Sequence, residues 1–150
     1  MMFSKRTTIL LFLVIVISII IYIFLPSDEG RIKKLFKEGS EAIEKEDLDA
    51  VMSKVSFNYQ DEYGMSYLYL KEAIKSIFQQ MSDIKVEYED LKIEINNDNA
   101  EAGVDVRILA TFGNESGYIL GDLKKPVHLK FTLEKERKKW LVTKTEGLLY

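Results

Sequence analysis

Apolar residues are spaced in three ways along the chain. From Thr7 to Leu25 they run almost unbroken, TTILLFLVIVISIIIYIFL, without a charge. From Ile32 to Met81 they recur at three and four residues, the period of a helix with one buried stripe. From Ile84 onward they alternate with polar residues, as on a strand with one face covered. The helical region divides into segments. Ile32, Leu35, Phe36, Ala42 and Ile43 mark one helix, with Ser27 or Asp28 placed to cap it. After a charged break at 44–47, Leu48, Val51, Met52 and Val55 mark a short second helix that Asp47 can cap. Residues 56–64 read as a connecting loop. Tyr67, Leu70, Ile74, Ile77, Phe78 and Met81 mark a third helix over 66–81, with Tyr69 off its apolar stripe.

In the strand region Ile84, Val86 and Tyr88 hold one parity, and Leu91, Ile93 and Ile95 the other. A bulge near Glu89-Asp90 would restore a common face. A turn at 96–99 leads to the clearest strand, in which Ala100, Ala102, Val104, Val106, Ile108, Ala110 and Phe112 alternate without a fault. A short strand at 118–120, one carrying Val127, Leu129, Phe131 and Leu133, a basic turn at 135–139 and a last strand from Trp140 complete the pattern. Helices followed by an antiparallel meander predict an α+β fold, the helices covering one face of the sheet. Asp105, Arg107, Lys130, Thr132 and Glu134 are left on the other face.

The 18 residues from Thr8 to Leu25 would span roughly 27 Å as a helix, close to the hydrocarbon thickness of a bilayer. The run ends in Phe-Leu-Pro-Ser-Asp-Glu with no small-x-small cleavage pattern, so an uncleaved signal anchor is read in preference to a cleaved peptide. The layout expected is a short cytoplasmic tail at 1–7, a transmembrane helix at 8–25, a linker at 26–31 and one domain at 32–150. Lys5 and Arg6 precede the span, and Asp28 and Glu29 follow it. An exported C-terminal domain on the cytoplasmic (inner) membrane is therefore favoured, although Arg31, Lys33, Lys34 and Lys37 weaken the charge asymmetry. There is no cysteine, which excludes thiol catalysis and Cys-ligated zinc. Without Lys5 and Arg6 the chain carries 19 basic against 24 acidic side chains, about −5, which argues against nucleic acid as a partner.

The stretch EAIEKEDLDAVMSKVSFNYQDEYG resembles the opening of the NTF2-like superfamily, also called SnoaL-like or the cystatin-like cone. The later segment IKVEYEDLKIEINNDNAEAGVDV and the strand led by Trp140 extend the likeness over about Ile32 to Gly147. It implies a curved sheet and helices enclosing a cone-shaped cavity, with Tyr59 turned toward its mouth. Members include isomerases, dehydratases and cyclases, and homodimers through the outer sheet face are common.

Four of the eight tyrosines lie in VSFNYQDEYGMSYLYL, beside Asp61 and Glu62. Tyr59, Tyr63 and Asp61 are the candidates for a pocket, with Tyr59 or Tyr63 able to donate to an oxyanion if Asp61 served as base. The default reading makes Asp61 and Glu62 solvated loop acids and His128, the sole histidine, a surface residue on the polar face. The pattern contains no motif for metal ligands, a nucleophile elbow or a phosphate-binding glycine loop, and no cofactor is expected. The basic turns Lys124-Lys125 and Lys135–Lys139 fall about 30 Å apart at opposite ends of the sheet and read as solvated hairpin tips rather than as one patch for lipid headgroups. The expectation is a membrane-anchored, non-catalytic envelope domain that binds a protein partner or a small hydrophobic ligand. The alternative is a lyase or isomerase on a small apolar substrate.

Overall fold

The computed structural model describes residues 5–148. Helix α1, Lys5–Phe24, buries none of its residues and is long and apolar enough to cross a membrane. Residues 1–4 of the tail expected at 1–7 lie outside the described residues, and 5–7 are already helical. Helix α2, Asp28–Glu44, begins within the stretch read as a linker, because the Ser27 hydroxyl accepts from the amide of Gly30 and caps it. Asp47 caps α3, Leu48–Met52, in the same way through the amide of Ala50. Helix α4, Tyr67–Gln80, passes directly into the first strand with no intervening turn.

Five antiparallel strands follow: β1 Met81–Asn96, β2 Asn99–Phe112, β3 Glu115–Leu120, β4 Val127–Glu136 and β5 Lys139–Glu146. The sheet order is β1-β2-β4-β5. One edge of β2 pairs with β1, while its other edge is shared, residues 99–106 with β4 and 108–112 with β3. The bulge expected near Glu89-Asp90 is present: Asp90 has φ 54° and the register shifts between Glu89 and Lys92, which brings Leu91 and Ile93 to the core side. A second bulge at Asp83, φ 50°, carried no signal in the alternation and adds curvature at the start of β1.

The covered face of the sheet is close-packed at one end and open at the other. Ile32 and Leu35 of α2 pack on Ala100, Ala102, Leu133 and Trp140. The two alanines let the helix approach the sheet closely, and Ile32 and Leu133 are fully buried. Farther along, Val104, Val106 and Leu129 meet only partly buried neighbours, among them Phe36 and Phe131, whose rings stand edge to face at 5.1 Å. The outer face is polar as predicted, with Glu101 paired to Lys130, Glu89 to Arg107 and Asp105 to His128. At the end of β5, Gly147 has φ 94°, and a Cβ there would stand 2.5 Å from the His128 carbonyl oxygen, so the position requires glycine.

Candidate functional site

The open end of the fold encloses a cavity of about 370 Å³. Leu35, Phe36, Gly39 and Ile43 of α2 form one wall, and Leu70, Ile74, Ile77 and Phe78 of α4 another. Inward residues of all five strands make the floor. Among the described residues the polar side chains on this surface belong to Ser40, Lys54, Tyr59, Tyr88 and Thr145, and no carboxylate or imidazole lines it. Ser40 donates to the Lys37 carbonyl, and Lys54 is ion-paired to Glu38. Glu38 is held below the usual carboxylate range, chiefly by its hydrogen bond with Lys54. The sole ammonium at the cavity is thus already committed to a partner.

Tyr59 is the one candidate from the sequence that the fold brings to the cavity. It comes from the segment after α3, which runs along the edge of β5: Ser56 N–H donates to the Val142 carbonyl and Gln60 N–H to that of Thr143. Those two bonds fix the segment and turn Tyr59 inward, leaving it 2% exposed. Its hydroxyl is buried with no partner at hydrogen-bonding geometry. Burial pushes the phenol above its ordinary value of 10; the nearby Thr145 opposes this in part, and the charge of Asp61 adds to it. The hydroxyl is therefore a neutral donor at physiological pH.

Asp61 corrects the reading of solvated loop acids, being 5% exposed. Its Oδ1 accepts from the amides of Tyr63 at 2.9 Å and Met65 at 2.7 Å, so the carboxylate braces the 61–65 turn and does not line the cavity. Sequence pattern could not reveal this, because an Asx brace and a free loop acid have the same composition. Glu62 is exposed and accepts from the amide of Gly147. Tyr63 is 63% exposed and borders a shallow depression with Gly64, Met65 and Tyr69; Met65 also lines the cavity, but Tyr63 does not. His128 is 68% exposed on the outer face, with Nδ1 2.7 Å from Asp105 Oδ1. Thr145, buried beside Tyr59, escaped the sequence reading, since it is polar and of the opposite parity to Trp140 and Val142; a register shift between Val142 and Lys144 turns it inward.

The model for the YvbJ NTF2-like domain matches residues 30–146. The chain belongs to this family. The match takes in every element of the cone from α2 to β5 and excludes α1. Among curated proteins none matches the sequence. Solved structures share the NTF2-like fold at low identity. A provisionally named aromatic ring hydroxylase from Novosphingobium aromaticivorans superposes with a TM-score of 0.68 at 16% identity, covering 82% of this chain and 90% of that one. A provisionally named scytalone dehydratase from the same organism gives 0.69 at 10%, covering 79% and 80%. A protein provisionally named a dehydratase of the NTF2-like family, from Streptomyces avermitilis, gives 0.65 at 11%, covering 79% and 93%. At such identities the likeness establishes the fold alone.

Proposed function

We propose that this chain is a single-pass protein of the bacterial inner (cytoplasmic) membrane whose exported NTF2-like domain binds a small hydrophobic ligand without transforming it. The observation that carries this reading is the cavity wall: about 370 Å³ lined mainly by aliphatic and aromatic side chains, with no carboxylate or imidazole among the described residues to move a proton. A volume of that size suits a small ligand, and its affinity would come from burial of apolar surface, with the Tyr59 hydroxyl as a single orienting donor. Anchoring by α1 fits such a ligand. Only Leu25, Pro26 and Ser27 separate α1 from α2, so the domain is held beside a bilayer in which apolar molecules concentrate. Lys5 and Arg6 before the span, and Asp28 and Glu29 after it, favour export of the domain.

The test is native mass spectrometry of the full chain extracted in detergent from its own host. Retention of one apolar molecule per chain is expected. An empty cavity with a stoichiometric protein partner would overturn the ligand reading in favour of a docking module, for which the outer sheet face offers a homodimer or partner contact. A lyase or isomerase is the second reading, favoured by the unpartnered Tyr59 hydroxyl and by the names given to the structural neighbours. Against it, no carboxylate or imidazole base lines the cavity among the described residues. Conversion of the retained molecule by the wild type, lost in Tyr59→Phe, would select the enzyme; retention without conversion in both proteins supports binding.

A further inference from the structure

We infer that the β4–β5 hairpin at Lys135–Lys139 docks on the anionic lipid headgroups of the leaflet from which α1 emerges. The inference rests on the reading of α1 as a membrane span. Position is the first observation. Asp28, three residues beyond Leu25, accepts from Lys135 Nζ at 2.9 Å and from Trp140 Nε1 at 3.1 Å. Arg31 Nη1 donates to the Lys138 carbonyl at 3.4 Å. Three residues of chain reach about 10 Å at most. The base of the hairpin is therefore tied within about the depth of the headgroup region from the end of the span.

Charge is the second. Arg31, Arg137, Lys138 and Lys139 make no ion pair among the described residues, and the last three are exposed. Two of the acids around them are ion-paired, Asp28 with Lys135 and Glu29 with Lys33, while Glu136 accepts from the Ser56 hydroxyl and keeps its charge. Asp98, whose carbonyl accepts from the Lys135 amide, and Glu134, which pairs with Leu141, are further acids at this end; in the strand register Glu134 stands two residues back from the Glu136–Lys139 pair that closes the turn.

Backbone strain is the third. Glu136 pairs with Lys139, so the turn is the two residues Arg137 and Lys138, both left-handed with φ 48° and 69°. Such a turn favours Asn-Gly, and long side chains there cost stability. Two cations are thus held at the tip against the backbone's own preference. The other basic turn provides the contrast. Lys124 and Lys125 precede β4, at the opposite end of the sheet from α2's first turn. Their amides close an ordinary Asp122 turn.

Trp140 is the sole tryptophan and lies at the hairpin's base with Lys135 Nζ 5.6 Å from its ring, so it reports the docking directly. The experiment places the full chain in nanodiscs of phosphatidylcholine, with or without phosphatidylglycerol, and measures quenching of Trp140 by lipids carrying a nitroxide on the headgroup. Quenching is expected to rise with the anionic fraction and to fall back in high salt. Arg137→Asn with Lys138→Gly removes two charges while suiting the turn, so the fold is kept. It should shift the docked-to-free equilibrium on the order of 30-fold toward the free state. Lys124→Ser with Lys125→Ser removes as much charge at the far end and should change nothing. Equal quenching in both lipids, no response to the hairpin variant, or equal loss in the far-end control would overturn the inference. So would abolition of the lipid dependence by millimolar inorganic phosphate at constant ionic strength, which would assign a phosphate site instead. Failure of the chain to enter the discs, seen before any quenching is measured, would overturn the membrane span itself.

Discussion

Helices α2 and α4 carry the same kind of amphipathic stripe, yet they do different work. The stripe of α2 buries Ile32 and Leu35 against the sheet, with Ala42 also buried, whereas α4 buries none of its residues fully. Ile74 and Phe78 stay half-buried because they face the cavity, and Leu68 and Tyr69 stand exposed on the far side. Helical periodicity says which face turns inward. It does not say whether that face meets side chains or a void. In this domain α2 is a core element whose second half reaches the cavity through Gly39 and Ile43, and α4 is a wall.

The contrast breaks first at Ile32. Ile32→Ala should cost about 2–5 kcal/mol, because the fully buried site cannot collapse around the loss. Denaturant unfolding of the full chain in micelles, followed through Trp140, measures it; a loss under about 1 kcal/mol would show that α2 is no more a core helix than α4. At the helix start, Asp28→Asn should cost about 1 kcal/mol, discounted for partial exposure of the Asp28–Lys135 pair. The hydrogen bond from Lys135, then that from Trp140, holds the Asp28 carboxyl below its ordinary 3.8. Its contribution is therefore present above about pH 4 and lost as pH falls through the folded-state value. Wild type and variant should converge in acid, and a gap that persists there would remove the carboxylate from the account.

The smaller effects sharpen the picture. Gly39 lies inside α2 on the cavity wall, and a Cβ there would meet nothing within 4 Å. Gly39→Ala should stabilise by about 0.5–1 kcal/mol through helix propensity while narrowing the cavity. A destabilised variant would mean that the space is already filled. Ile74→Ala in α4 should cost only about 0.5–1 kcal/mol, far less than Ile32→Ala, since its side chain already borders a void. Its larger effect is expected on retention of an apolar ligand, read by the same native mass spectrum.

Much of the fold was legible in the residues. The alternation of β2, the phase slip at Glu89-Asp90 and the Asp47 cap each have a local cause that shows in the spacing. The second bulge at Asp83 did not show, because Ile84, Val86 and Tyr88 keep one parity beyond it. Of the site, Tyr59 was legible through the family resemblance. The burial of Asp61 was not, since it depends on two amides of its own turn that composition does not reveal.

By itself, then, the sequence determined what short-range physics controls: an apolar run of bilayer length, helices and strands through their periods, and a polar outer sheet face. Only the tertiary structure decided which apolar faces meet a cavity, that Tyr59 enters it while Tyr63 does not, and that a hairpin more than a hundred residues beyond α1 is clamped to Asp28. Such outcomes depend on contacts between residues far apart in the chain, and periodicity cannot encode which distant partner fills a given space.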